Sequence, residues 1–237
     1  VKNIGDLNGD GRDEISVGVF HDDDGGTDRG AIYTLFLDAS FDVTAAQKIS
    51  DTAGGFNGVL DDDDLFGMTM APIGDVDLDG VPDIIVGSNK DDDGDTDLGA
   101  VFVFLMNSDG TVKAEAKISQ TTGGFDDLVL SGGERFGRSL AYLGDLRQDG
   151  TFGVAVGAGA GNPVGGAIWI LYFQPVSPPG LTVTIAAPAI SENGGATTLT
   201  VTRPASATTG DLTVLLSSDD ESEATVPASV TIADGQT

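Results

Sequence analysis

At 237 residues, with 11 Lys+Arg against 38 Asp+Glu and a formal net charge of −27, the chain is too acidic to hold nucleic acid or an anionic membrane by charge. It has no cysteine, which excludes disulfides and thiolate metal sites, and no apolar run long enough to span a bilayer. A hydrophobic content of 40%, arranged in regular Val/Ile runs, says that it folds, so the acid belongs on the surface and in loops.

The chain opens on Val1 without a signal peptide, which reads as a mature or excised segment. Residues 5–18, "GDLNGDGRDEISVG", place Asp6, Asn8 and Asp10 on alternate positions before Gly11 and then turn into a β-branched run. An EF-hand loop needs a bidentate Glu at its twelfth position. Counted from Asp6 that position is Val17, so the loop must instead close at position nine, Glu14, and lead into a strand. The same stretch returns as "GDVDLDGVPDIIVG" at 74–87 and, eroded, as "GDLRQDGTFGVAVG" at 144–157, at offsets of 69 and 70 residues. The flanks repeat as well: "DDDGGTDRGAIYTLFL" (22–37) with "DDDGDTDLGAVFVFLM" (91–106), "QKISDTAGGF" (47–56) with "AKISQTTGGF" (116–125), and "LFGMTMAPIGD" (65–75) with "RFGRSLAYLGD" (135–145).

Each unit reads as four short strands with no helical period: one after the Phe-Gly pair, one after the acidic loop, one at "AVFVFLM" and one near "AKIS". Four antiparallel strands per repeat is the unit of a β-propeller blade. Phe66 and Phe136 are expected to wedge between blades, with Gly67 and Gly137 letting backbones crowd. The pattern predicts an all-β chain: a partial β-propeller of four-stranded antiparallel sheets over 1–173, with blades at 1–50 (partial), 66–119 and 136–173. A Pro-rich linker follows at 174–180, "QPVSPPG", and then an incomplete β-sandwich at 181–237.

With "FG", the loop D-x-[DN]-x-[DN]-G-x-x-[DE] and the apolar "VG" strand after it, residues 1 to about 174 resemble the FG-GAP repeats of integrin alpha subunits and of many bacterial surface proteins. That resemblance implies a seven-bladed ring, of which this segment supplies only part. The tail "AISENGGATTLTVTRPASATTGDLTVLLSS" resembles the start of a Calx-beta domain.

In such a loop positions 1, 3 and 5 offer side-chain oxygens, 7 a backbone carbonyl and 9 the closing carboxylate. The first loop then offers Asp6, Asn8, Asp10, the Arg12 carbonyl and Glu14; the second offers Asp75, Asp77, Asp79, the Val81 carbonyl and Asp83. An all-oxygen set without Cys or His selects Ca²⁺ over zinc or copper, and two sites are expected. The third loop keeps Asp145 and Asp149 but carries Arg147 at position 3 and Gly153 at position 9, so it is expected to hold no metal, with the guanidinium beside the two carboxylates in the ion's stead. A metal-free Asx-rich turn is the bland alternative for the first two loops.

Strand parity sends the loops at 21–28, 61–64 and 90–97 to the opposite face, which the resemblance makes a partner surface for a protein or polysaccharide ligand. Three readings of this acid stand at this level: solvated acidic loops, a weak cation or basic-ligand surface, and a solubility adaptation to salty surroundings. His21, the lone histidine, has no nucleophile to serve, and no catalytic motif is visible. The expected function is therefore a non-enzymatic, calcium-binding adhesion or interaction module, extracellular or at a bacterial cell surface. The alternative is a non-catalytic scaffold within a larger secreted hydrolase or lyase. Introducing Arg147→Asp together with Gly153→Asp is expected to give the third loop a calcium site, seen as one additional binding event in titration calorimetry; an unchanged stoichiometry refutes the assigned loop register.

Overall fold

A computed structural model of the chain describes residues 1–123, 130, 133–159, 166–175, 182–185, 199–202, 212–215, 229–233 and 236, which form two compact units, Val1–Val176 and Ser177–Thr237. All regular structure among them is strand.

The first unit holds three antiparallel meanders. Strands β1 (Lys2–Gly5), β2 (Glu14–Val19), β3 (Ala31–Leu37) and β4 (Val43–Ser50) pair in chain order. Strands β5 (Phe66–Gly74), β6 (Asp83–Ser88), β7 (Ala100–Met106) and β8 (Val112–Ile118) repeat the arrangement. The third sheet comprises β9 (Ser139–Gly144), β10 (Phe152–Ala158) and β11 (Ala167–Phe173). The first repeat, expected as a partial blade, forms all four strands, although β1 has 4 residues where β5 has 9. In the second unit β12 (Thr182–Ile185) pairs with β13 (Leu199–Thr202), and β14 (Leu212–Leu215) with β15 (Ser229–Ile232). Most of the expected linker at 174–180 and much of the Calx-beta-like stretch lie outside the described residues.

The central strands of the second sheet, β6 and β7, are buried on both faces, which is why they read as continuous apolar runs and not as alternation. Pleating sorts successive side chains to opposite sides. Ile84, Val86, Phe102 and Phe104 join Ile4, Ile32 and Ile49 of the first sheet in one core, whereas Ile85, Val101 and Val103 join Leu140, Val154, Val156 and Leu171 of the third sheet in another. Phe66 and Phe136 are fully buried, one in each core. Phe66 stacks on Phe56 at 5.5 Å and meets Phe102 edge-on at 5.8 Å, so four phenylalanines with Phe104 fill the first junction.

The Phe-Gly pair fixes how closely sheets approach. Gly67 has φ of 85°, and a Cβ added to Gly18 of the neighbouring sheet would land on the Gly67 carbonyl oxygen. One repeat later Gly87 stands in the same relation to Gly137. Glycine is required there because backbone meets backbone. Truncating Phe66→Ala removes the centre of the first junction and should cost about 3–5 kcal/mol, read as a lowered urea midpoint. Gly87→Ala should also destabilise, since neither backbone can yield.

Candidate cation-binding loops

Each inner strand ends on a glycine with positive φ, Gly5, Gly74 or Gly144, where the ladder shifts register. That glycine pairs with position nine of the following loop: Gly5 with Glu14, Gly74 with Asp83, Gly144 with Gly153. The loop thus closes at position nine because that residue already belongs to the outgoing strand, β2, β6 or, in the third sheet, β10.

Inside the loop the first carboxylate organises backbone. Asp75 accepts hydrogen bonds from the Asp79 and Gly80 amides at 3.0 and 2.8 Å, Asp6 from those of Asp10 and Gly11 at 3.1 and 2.8 Å, and Asp145 from those of Asp149 and Gly150 at 3.2 and 2.8 Å. Position five then accepts the amide of position seven: Arg12 to Asp10 and Thr151 to Asp149 at 3.0 Å, Val81 to Asp79 at 2.8 Å. Position nine is fully buried in the first two loops and accepts the amide of position two at 2.7 Å, from Leu7 to Glu14 and from Val76 to Asp83. The longer arm of Glu14 therefore reaches the same amide as Asp83. The other Asp83 oxygen takes the Met106 amide at 2.9 Å, whereas Glu14 Oε1 is buried with no hydrogen-bond partner.

A conformational requirement at position four was not legible in the repeat. Gly9, Leu78 and Gln148 all have positive φ, as do Gly11, Gly80 and Gly150 at position six. Only the second set is marked by glycine throughout, because Leu and Gln occupy the left-handed region at position four at some cost.

In the second loop Asp75, Asp77 and Asp83 bring carboxylate oxygens within 4.8 Å of one another. Asp77 Oδ1 is buried and unpartnered. Asp79 shares the Lys113 ammonium with Asp77: Nζ lies 2.6 Å from Asp79 Oδ2 and 2.6 Å from Asp77 Oδ2. Burial pushes the Asp83 carboxyl up to about 6, opposed by the Met106 and Val76 amides. It pushes the Glu14 carboxyl up as well. Burial would also raise Asp79, but Lys113 and the Val81 amide outweigh it and hold that carboxyl below its ordinary range. In the first loop Asn8 Oδ1 accepts the Asp10 amide at 2.9 Å and the Arg12 guanidinium pairs with Asp10 at 3.0 Å. The buried, unpartnered oxygens of Glu14 and Asp77 and the all-oxygen donor sets fit a hard divalent cation. Arg147 of the third loop departs from expectation: its guanidinium lies 3.5 Å over the Tyr172 ring, and no ion pair joins it to Asp145 or Asp149.

The opposite acidic loops are held by basic side chains of the chain itself. Lys48 bridges Asp22 and Asp24 at 2.8 and 2.5 Å; Lys117 bridges Asp91 and Asp93 at 2.6 and 2.9 Å. Two residues on, Ser50 and Ser119 donate to Asp24 and Asp93. The repeated "KIS" thus points Lys and Ser at the acid and Ile49 or Ile118 into a core. Arg29 joins Asp51 to Asp62, and His21 meets Asp28 at 2.9 Å. Asp64 is buried beneath this face, where it accepts the Asp61 amide. Burial pushes its carboxyl up to about 7, Asp91 and Asp61 reinforce the rise, and Lys117 and the Asp61 amide oppose it. A carboxyl raised in the folded state destabilises progressively as pH climbs from about 4 to about 7, because the folded chain holds the proton more tightly than the unfolded one. Asp64→Asn should therefore gain stability relative to the parent between about pH 4.5 and pH 8, by urea unfolding at both values; a constant difference refutes this.

No family model matches the chain. Over 98 residues it is 41% identical to integrin alpha-PS5 of Drosophila melanogaster, covering 40% of this chain and 9% of that protein. Mouse integrin alpha-8 is 36% identical over 100 residues, covering 39% and 8%, and integrin alpha-PS2 of Drosophila melanogaster is 34% identical over 119 residues, covering 48% and 8%. The chain spans less than a tenth of the length of these relatives. It contains an integrin alpha-like region, and its four-stranded antiparallel sheets are propeller-like repeats of FG-GAP type.

Proposed function

We propose that the chain is a non-enzymatic, extracellular interaction module of the integrin alpha kind whose loops between the first two strands of each sheet are stabilised by Ca²⁺. Similarity to integrin alpha chains supports the extracellular, adhesive reading. Among the described residues no helix is long and apolar enough to cross a membrane. The observation that carries the calcium reading is the second loop, where three carboxylates converge around the buried, unpartnered Asp77 Oδ1. Asp75, Asp77 and Asp83, with Asp79 and the Val81 carbonyl, would hold the ion there; Asp6, Asn8, Asp10, the Arg12 carbonyl and Glu14 would hold it in the first loop. The third loop, lacking donors at positions three and nine, would hold no metal; its first and fifth positions still accept the backbone amides of Asp149, Gly150 and Thr151. Bound calcium would offset the mutual repulsion of the converging carboxylates and so lock each turn.

The acidic face at 21–28, 61–64 and 90–97 is the proposed partner surface, for a basic protein segment. The bridges to Lys48, Lys117 and Arg29 support this reading, because they show these carboxylates accepting ammonium and guanidinium groups. A non-catalytic scaffold of a larger secreted hydrolase or lyase is the second reading, and it shares the calcium loops.

Extracellular calcium modules bind at roughly 10⁻⁴ to 10⁻³ M, so about 10 mM Ca²⁺ should raise Tm by about 3–10 °C over chelator, measured by scanning calorimetry. Asp75→Asn together with Asp6→Asn should abolish the rise; identical melts of the parent chain in calcium and chelator refute the calcium reading.

A further inference from the structure

Besides their own donors, the two metal-type loops differ in a residue that belongs to neither. Where β7 pairs with β8, Leu105 stands opposite Ala114 and Met106 opposite Val112, so Lys113 is the extra residue of a β-bulge. A bulge re-aims the side chain it carries. Here it sends Lys113 across to the loop joining β5 and β6, where the ammonium sits 2.6 Å from both Asp77 Oδ2 and Asp79 Oδ2. The first sheet has the same bulge at the same place: Phe36 stands opposite Ala45 and Leu37 opposite Val43, leaving Thr44 as the extra residue. Thr44 carries no charge, and its hydroxyl donates back to the Phe36 carbonyl at 3.2 Å. The cation paired with that first loop is Arg12, which meets Asp10 at 3.0 Å and lies within the loop itself.

We infer that Lys113 is a tethered competitor of the divalent cation in the second loop, occupying the carboxylates of positions three and five and so lowering that loop's affinity below the value its donors would otherwise give. The inference rests on the calcium reading above and adds a residue outside the donor set that grades the two sites. The chemistry is simple exchange. An ion that takes Asp77 and Asp79 must displace the ammonium to solvent, and the cost of breaking two ion pairs subtracts from binding. Lys113 is 41% exposed, so the displaced ammonium has water to enter. The Asp77 oxygen that Lys113 does not touch, Oδ1, is the buried unpartnered one, which leaves the ion a donor that the lysine does not satisfy. The lysine is therefore a partial substitute and not a permanent plug.

The test titrates Ca²⁺ into the full chain and follows the amide resonances of Gly80 and Gly11, which report the two loops separately. In Lys113→Met, which keeps the aliphatic stem, the Gly80 midpoint should fall by about threefold to tenfold while that of Gly11 stays fixed. The reciprocal variant, Thr44→Lys, should raise the Gly11 midpoint and leave Gly80 unmoved. A Gly80 midpoint that is unchanged or higher in Lys113→Met overturns the competition and leaves the calcium reading standing. If Gly80 fails to respond in either the parent or Lys113→Met, the calcium reading of this loop falls, and the competitor with it.

Discussion

Convergent carboxylates at strand-joining turns are the constraint around which this protein is built. An acidic oxygen in a tight turn needs donors, and the loops supply them in a fixed order. Backbone amides satisfy positions one, five and nine first, and what they leave over, Asp77 Oδ1 and Glu14 Oε1, has the chemistry to meet a cation. The same rule operates on the opposite face, where the chain furnishes the cation itself through Lys48 and Lys117. Arg12, Arg29, Lys48, Lys113, Lys117 and Arg135 all sit on loop carboxylates, in a chain with only 11 basic residues. Positive charge is thus placed where turns must close.

Stacking of the sheets gives those turns a rigid base. The second sheet buries alternate side chains of β6 and β7 in two separate cores, so those two strands are apolar nearly throughout, and the glycines at 18, 67, 87 and 137 set the spacing. On the third sheet Ile168, Ile170 and Tyr172 occupy alternate positions of β11 and are exposed, whereas their counterparts Val101, Val103 and Leu105 of β7 pack on the third sheet. The repeat therefore presents the same sticky face again on its last strand. The candidate cation loops sit at the edges of this stack because both faces of an inner sheet are already committed to packing.

The repeat made much of this readable. Three copies at fixed spacing expose the strands, the Phe-Gly wedge and the loop register, since each copy tests the others. Reading donors from spacing alone was less complete, because it treats positions one, three, five and nine as equals. Asp145 and Asp149 show that one and five hold backbone whether or not three and nine are present, and Asp83 and Glu14 show that nine closes the loop onto an amide. Arg147 carries the charge expected to neutralise its loop, yet stacking on Tyr172 takes it elsewhere. No positional pattern could show that, since Tyr172 lies on a different strand.

By itself, the sequence determined the all-β class, the repeat, the strand order within each sheet and the acid that its loops must accommodate, because periodicity and turn chemistry are local. Only the tertiary structure decided which cation each carboxylate meets. Lys48 reaches Asp22 and Lys113 reaches Asp77 from strands well removed along the chain, and such encounters are set by bulges and strand register that no local pattern encodes.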